Sequence, residues 1–282
     1  LLGWIAARRG LVPLRDMAQV AHGISASRLD NRLRLDDVPP ELFDLAAEFN
    51  QMLDRLQDSF RRLSDFSSDL AHELRTPISN LMTETQVVLT RARSADEYRE
   101  VLYSNLEEYD RLARMIGDML FLAKADNGLI MLHSGPVDLA KEVRQLFDFY
   151  EALSEEEGVS LTLVGEGVVR GNDLMLRRAL SNLLSNALRH SPRNGSIAVR
   201  IDRPEPEKTR IAVENSGQTI PAEHLPRLFD RFYQVDASRH RTHEGAGLGL
   251  AIVKSIVEAH GGKIVVTSAE GATRFEVLLP AG

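Results

Sequence analysis

Apolar residues recur every three or four positions along the first half of the chain. Leu45, Phe49, Met52, Leu56, Phe60 and Leu63 lead without a break into Phe66, Leu70, Leu74, Pro77 and Leu81. That spacing marks one face of an α-helix, and it predicts a helix that opens near Pro40 and Glu41 and runs on past position 81. A second row, Tyr98, Leu102, Asn105, Tyr109, Leu112, Ile116, Met119 and Ala123, predicts another helix over about 96–125. Its steps alternate four and three, a heptad pattern that calls for left-handed packing against partner helices. Residues 91–95 form the short turn between the two. Narrow apolar rows cannot bury themselves alone, so the expected arrangement is a homodimer in which two hairpins make a four-helix bundle. Upstream, residues 13–25 carry a shorter amphipathic helix, with Pro13 at its start and Leu14, Met17, Ala21 and Ile24 on one face. A polar connector rich in Arg and Asp spans 25–40.

The texture changes after Asp126-Asn127-Gly128. Runs at 160–164, 197–201, 210–214, 263–268 and 274–279 alternate or concentrate β-formers and read as strands. Pro204-Glu205-Pro206-Glu207 is a turn between two of them. With helical stretches interleaved, this second half is α+β, with helices on one face of a mixed sheet.

Composition narrows the function classes. The 282 residues suffice for about two domains. Hydrophobic residues at 43% and charged residues at 27% describe a globular protein, and a net charge of −7 argues against nucleic acid as a partner. There is no cysteine, which excludes disulfides and thiolate metal sites. The chain opens on Leu rather than Met, so a fragment of a longer protein is expected. Residues 1–7 are mostly apolar and Arg8-Arg9 follow. They read either as the inner end of a membrane helix, with the arginines on the cytoplasmic side, or as an ordinary helix start. No signal peptide is visible.

Candidate chemistry lies at four places. His72 is two residues from both Leu70 and Leu74, which at roughly 100° per residue turns it about 200° from each, so its imidazole faces away from the apolar row. Alone, such a residue is more often a solvated histidine than a nucleophile. Asn182 and Asn186 are four apart on one helix face, with Leu180, Leu183, Leu184 and Leu188 on the buried side. Amide oxygens suit magnesium beside a triphosphate without adding charge, and Arg189 is placed to meet a phosphate; surface polar residues are the plain alternative. Glu214-Asn215-Ser216-Gly217 follows a strand, and its glycine lets a ligand approach the backbone. A side-chain acceptor there suits an adenine amino group, against the alternative of a simple turn. Gly245-Ala246-Gly247-Leu248-Gly249 runs into an amphipathic helix, whose first N–H groups can hold phosphates. It lacks the Lys-Ser/Thr ending of a P-loop and the βαβ setting of a Rossmann fingerprint. The polar stretch 236–244 before it reads as a lid.

Taken in order, these strings resemble the membrane-bound sensor histidine kinases of two-component systems. His72-Glu73-Leu74-Arg75-Thr76-Pro77 is similar to the family's phosphoacceptor box, 182–186 to its asparagine box, 215–217 and 245–249 to its two glycine boxes, and 229–233 to its phenylalanine box. Pro13 and Glu41 stand where a HAMP signal-relay module has them. The wording of 102–107 and 224–233 is similar to the copper- and silver-sensing branch. The resemblance implies the end of a transmembrane helix over 1–12, HAMP over 13–62, a dimerisation and phosphotransfer hairpin over 63–127, and a catalytic domain over 134–282. The implied fold is an all-α HAMP and dimeric four-helix-bundle region followed by an α+β Bergerat-type (GHKL) ATP-binding domain.

The implied activity is autophosphorylation of His72 from ATP, followed by transfer to an aspartate in the receiver domain of a response regulator, with dephosphorylation of that regulator as a second activity. Glu73 would orient or accept the imidazole proton, and Thr76 would orient a water. Asn182, Asn186, Arg189, Asn215, Gly217, Gly245, Gly247 and Gly249 would hold the nucleotide. Asn186, assisted by Asn182, would hold Mg2+. The implied setting is the inner membrane, reached through an upstream helix, with this portion facing the cytoplasm and forming a homodimer. Three positions depart from the pattern. Asn215 stands where an aspartate is usual, Gln234 where many relatives have arginine, and Asn172 where an aspartate often starts the asparagine-box helix. Two rival readings remain at this point: an ATPase of the same superfamily without transfer to histidine, and a degenerate signalling scaffold impaired at Asn215.

Overall fold

The computed structural model describes residues 30–38, 40–126, 128–129, 134–235 and 247–282. The expected helix over 13–25, the membrane-proximal stretch 1–12 and the expected lid over 236–244 lie outside the described residues. Contacts divide the chain into two units, Leu1–Thr83 and Glu84–Gly282.

The first unit contains most of one long helix, α1 (Phe43–Leu89), 47 residues without interruption. A single 3-10 turn, Pro40–Leu42, leads into it. The helix opens where the apolar row predicts and carries Pro77 in its interior. Ala46, Asn50 and Leu53 share one face by their spacing. Ala46 and Leu53 are buried there together with Leu33. Asn50 holds the preceding segment like a strand partner: its amide nitrogen donates to the Leu33 carbonyl at 3.0 Å, and its amide oxygen accepts from the Leu33 N–H at 2.9 Å. The predicted apolar row is a different face. Leu45, Met52, Phe60 and Leu63 are all exposed, whereas farther along the row Phe66, Leu70 and Leu74 are half-buried and Pro77 and Leu81 are buried.

In the second unit, α2 (Ala95–Asp126) follows a break at 90–94. A capping box sets its start. Ser94 Oγ accepts from the Glu97 N–H at 3.2 Å, and Glu97 Oε2 accepts from the Ser94 N–H at 2.8 Å. Beyond α2 the chain forms β1 (Gly135–Asp138), α3 (Leu139–Glu157), β2 (Ser160–Val164), β3 (Val168–Gly171), α4 (Asp173–His190), β4 (Ser196–Glu205), β5 (Lys208–Ser216), α5 (Gly249–Ala259), β6 (Lys263–Ala269) and β7 (Ala272–Pro280). The main sheet has five strands in the order β2-β4-β5-β7-β6. The β2–β4 pair is parallel and the other three pairs are antiparallel, so the sheet is mixed, as expected. All five of its strands are legible in the sequence. The four-residue strands β1 and β3, paired as a separate ribbon, are too short for a periodicity to register. The β4–β5 turn is confined to Pro206-Glu207 because β4 continues to Glu205 through an irregular register between Asp202 and Glu205.

Alternation along the strands builds the core. Ile197, Val199 and Ile201 of β4, Ile211 and Val213 of β5, and Phe275, Val277 and Leu279 of β7 are buried. They meet the apolar stripes of the three helices, among them Val143 of α3, Leu180 and Leu184 of α4, and Ile252 and Ile256 of α5. The intervening strand positions carry charge: Arg210 pairs with Asp202 at 2.6 Å and Arg274 with Glu276 at 2.7 Å.

Helix α2 packs on this domain through α5. Asn105, Met115, Met119 and Leu122 are buried, a set that overlaps the predicted heptad at Asn105 and Met119. Two arginines flank it. Arg178 of α4 pairs with Asp118 and lies 4.5 Å from the centre of the Phe121 ring. Arg231 donates to both carboxylate oxygens of Asp126, at 2.7 and 2.6 Å. Burial pushes the Asp118 carboxyl above its usual range, partly offset by Arg178.

Candidate functional site

The candidate acceptor lies in the first unit. His72 is exposed on α1, as its offset from Leu70 and Leu74 requires. Thr76, four residues on and therefore on nearly the same face, is exposed as well, and Glu73 is half-buried. Pro77 is buried. Having no N–H, it leaves the Glu73 carbonyl without its usual helical donor, one residue along from the imidazole.

The candidate nucleotide residues lie in the second unit and converge on α4. Asn172 caps that helix, its side-chain oxygen accepting from the Met175 N–H at 3.0 Å, so this departure from aspartate keeps the cap. The residue is held from behind. His260 Nε2 accepts from the Asn172 N–H at 3.0 Å, while its Nδ1 lies 2.7 Å from the Ile256 carbonyl and donates to it. Leu176, Leu180, Leu183, Leu184 and Ala187 turn the buried side of α4 to the core. That leaves Asn182 and Asn186 half-buried on another face and Arg189 exposed near the end. Asn182 Nδ2 donates to the Gly249 carbonyl at 3.3 Å, tying α4 to the first residue of α5. The Asn186 amide has no hydrogen-bond partner among the described residues.

The glycines have separate reasons. Gly217 follows β5, and a Cβ there would lie 2.5 Å from the His190 carbonyl at the end of α4. Gly247 has φ +67°, and a Cβ would lie 2.8 Å from the Phe232 main chain. Phe232, itself at φ 59°, donates its N–H to the Gly247 carbonyl at 3.0 Å. Gly249 is less constrained, since a Cβ would sit in ordinary contact, 3.8 Å from Asn182. Gly245 lies outside the described residues. Helix α4 is thus the common support: Asn182 holds the start of α5, and His190 abuts Gly217, about 12 Å further along at 1.5 Å per residue.

Asn215 is 4% exposed at the end of β5, and its Nδ2 donates to the Ser216 carbonyl at 2.9 Å. Across the ladder it pairs in register with Thr273 of β7, also buried, whose hydroxyl lies 2.9 Å from that of Ser268. Ser216 Oγ accepts from the Ser196 N–H at 2.9 Å, fixing the end of β5 to the start of β4. Thr273 escapes the sequence reading, while Ser216 and Phe232 lie inside the quoted strings but have no role assigned there. The available signal was a polar residue at an inward position of an otherwise apolar strand, as at Asn215 and Thr273. Gln234 is half-buried. The donor set fits a nucleotide with a divalent ion. It offers amide oxygens, an arginine and glycine-bordered main chain, while among the described residues no three His, Asp or Glu side chains converge.

The chain matches, in order, the HAMP domain over residues 5–58, the His Kinase A (phospho-acceptor) domain over 62–128, and the histidine kinase-, DNA gyrase B-, and HSP90-like ATPase over 171–282. It is 52% identical over 278 residues to the sensor histidine kinase CusS of Escherichia coli O6:H1, covering 98% of this chain and 58% of that protein. The chain therefore spans less than two thirds of the length of this curated relative. Its fold is that of the histidine kinase AdeS of Acinetobacter baumannii, at 23% identity and a TM-score of 0.64, over 75% of this chain and 98% of that one. The histidine kinase ThkA, in complex with the response regulator protein TrrA, matches at 22% identity and a TM-score of 0.63, over 79% of this chain and 64% of that one. With these domains in this order and that identity along nearly its whole length, the chain belongs to the sensor histidine kinases and ends in their ATP-binding ATPase domain.

Proposed function

We propose that this chain is the signalling core of a membrane sensor kinase, phosphorylating itself on His72 and passing the phosphoryl group to an aspartate of a response regulator. The proposed division is a membrane-helix end over 1–12, HAMP over 13–62, the phosphotransfer hairpin over 63–127 and the ATP-binding domain over 134–282. The observation that carries the reading is the pairing of two features: an exposed histidine on a long helix, and a domain whose α4 offers Asn182 and Asn186 between two glycine segments.

In the first step an imidazole nitrogen of His72 forms a bond to the γ-phosphorus as the bond to the β-phosphate oxygen breaks, releasing ADP. Glu73 takes or orients the proton on the other ring nitrogen. Asn186, with Asn182, would hold Mg2+, which supplies charge neutralisation along the phosphates, and Arg189 adds a cation at the exposed end of α4. Catalysis then rests on positioning and charge rather than on further covalent chemistry. In the second step the phosphoryl group moves to the regulator's aspartate and His72 is regenerated. Thr76, on the face of His72, orients the water that later hydrolyses the acyl phosphate. The ThkA–TrrA complex supports a regulator as partner. The exposed apolar row of α1 supports a homodimer, and Arg8-Arg9 after an apolar start support an inner-membrane setting with this portion in the cytoplasm. The copper or silver response rests on the likeness of 102–107 and 224–233 to that branch.

Incubation with γ-labelled ATP and magnesium tests the core of the proposal. Acid-labile label in the wild type, lost in His72→Gln, is the expected result. Label that persists in the variant removes His72 as acceptor, and ATP hydrolysis with no labelled protein returns the reading to a plain ATPase.

A further inference from the structure

Asn172 opens α4 with its side chain already committed, its oxygen accepting from the Met175 N–H at 3.0 Å. Its own N–H still needs an acceptor. In a capping box the third residue of the helix supplies one, as Glu97 does for Ser94 on α2. The third residue of α4 is Met175, whose side chain carries no oxygen. The acceptor comes instead from another helix: His260 Nε2, at the tail of α5, takes the Asn172 N–H at 3.0 Å. The ring is built in. It is 8% exposed, its Nδ1 lies 2.7 Å from the Ile256 carbonyl, and a Cβ at Gly171 would come within 2.6 Å of its Cδ2. Helices α4 and α5 pack side by side and are linked by hydrogen bonds at two places, His260 to Asn172 and Gly249 to Asn182. The stretch between the links is about 15 Å on α4 and about 16 Å on α5, at 1.5 Å per residue. The head of one helix therefore faces the tail of the other, and the two links close a loop with matched sides.

We infer that His260 is a positioning residue of the nucleotide site: by accepting the Asn172 N–H it sets how far along α4 the first residue of α5 lies, and so the separation between the Asn182 and Asn186 amides and the glycine segment that ends at Gly249. This rests on the reading of the site as an ATP pocket. A slip of one residue along α4 moves Gly249 by about 1.5 Å, and a misplacement of about 1 Å is enough to spoil a site that works by position. The two sides of the phosphate site stand on different helices, so their spacing depends on what joins those helices. Asn215 stands on β5, outside the loop. The effect of His260 therefore falls on the phosphate end of a nucleotide and spares its base.

Displacement of a fluorescent ATP analogue by ATP and by adenosine, with the full chain and magnesium, tests the inference at a temperature where circular dichroism shows each variant folded. The variants replace one ring nitrogen at a time. Gln carries its side-chain oxygen out to the place of Nε2, whereas Asn reaches only to that of Nδ1. His260→Asn should bind ATP at least about fivefold more weakly than the wild type, and His260→Gln within about twofold of it. Adenosine, which has no phosphates, should bind all three within about twofold. Met175→Glu added to His260→Asn gives the Asn172 N–H a local acceptor without restoring the link to α5. This double variant should regain thermal stability and keep the weak ATP binding, and it replaces His260→Asn if that variant does not fold. Recovery of ATP affinity in the double variant overturns the inference, because a cap alone then suffices. So does a Gln variant as weak as the Asn one, or an equal loss of ATP and adenosine. A wild type that binds no ATP overturns the ATP-pocket reading and this inference with it.

Discussion

Leu63 on α1 is 59% exposed, whereas Phe275 on β7 is 2% exposed, and the two regions they represent use hydrophobic residues for different ends. In the ATP-binding domain β4, β5 and β7 turn buried apolar positions toward the helices, and the core closes within one protomer. On α1 the first part of the regular apolar row, from Leu45 to Leu63, stays largely in solvent while a less obvious face, built on Ala46, Asn50 and Leu53, is covered by the segment before the helix. Under the proposed homodimer, the open part of the row is the assembly surface and the buried face is the folding surface.

Substitution at Phe275 should break this comparison most visibly. Phe275→Ala removes a buried ring that also meets Phe229 edge-on at 6.3 Å, and should lower the stability of the ATP-binding domain by about 3–5 kcal/mol. Urea unfolding followed by near-ultraviolet circular dichroism reads this directly. The helical signal of α1 should survive at urea concentrations that unfold the variant domain; a single transition in which both are lost together would show that the two regions do not fold separately.

A smaller effect is expected where α2 packs on the ATP-binding domain. Arg178→Ala strands the Asp118 carboxylate beside Phe121 and should cost about 1–2 kcal/mol near neutral pH, less than a fully buried pair because both side chains keep about a third of their exposure. Asp118→Asn should be close to neutral, since it removes the charge whose burial is unfavourable. The pH dependence has a definite sign. Because burial raises the folded-state value of Asp118, its linked contribution favours folding below the ordinary carboxylate value and is lost as pH rises through the raised one. Wild-type stability relative to Asp118→Asn should therefore fall as pH is raised through that window, measured by paired urea titrations. A rise would mean that the Arg178 pairing outweighs desolvation.

Leu63→Ser should have the smallest effect on unfolding, under about 0.5 kcal/mol for an exposed position, and yet shift the protein toward monomer in sedimentation velocity. A stability loss as large as that of Phe275→Ala would sink the distinction between assembly and folding surfaces.

The long helices, the hairpin break and the five strands of the sheet were legible because each repeats a period for long enough to register. Outward placement of His72 followed from two residues of spacing. The geometry of the nucleotide residues was only half legible. Asn182 and Asn186 could be assigned to one face, but nothing in the sequence indicates that Asn182 reaches Gly249 or that Ser216 turns the Asn215 amide. Those contacts join positions 67 and 1 residue apart, and neither distance carries a periodic signature. The Met115, Met119 and Leu122 face was missed for another reason: it shares α2 with a cleaner heptad, and the cleaner pattern drew the assignment. The glycine at 247 reads as a phosphate loop, yet its left-handed backbone already answers to Phe232.

His260 is an anchor pin. One ring nitrogen takes the N–H that opens α4 and the other gives its proton to α5 at Ile256, so the tail of α5 and the head of α4 turn about a single axle. Gly249 stands at the far end of the pinned helix, where its carbonyl accepts from Asn182 at 3.3 Å and Leu248, Ala251 and Ile252 are buried. A helix joined to its neighbour at both ends is fixed in register against it, so α4 and α5 present their outer faces as one surface. Helix α2 packs on that same helix, so the pinned pair is the platform that receives α2.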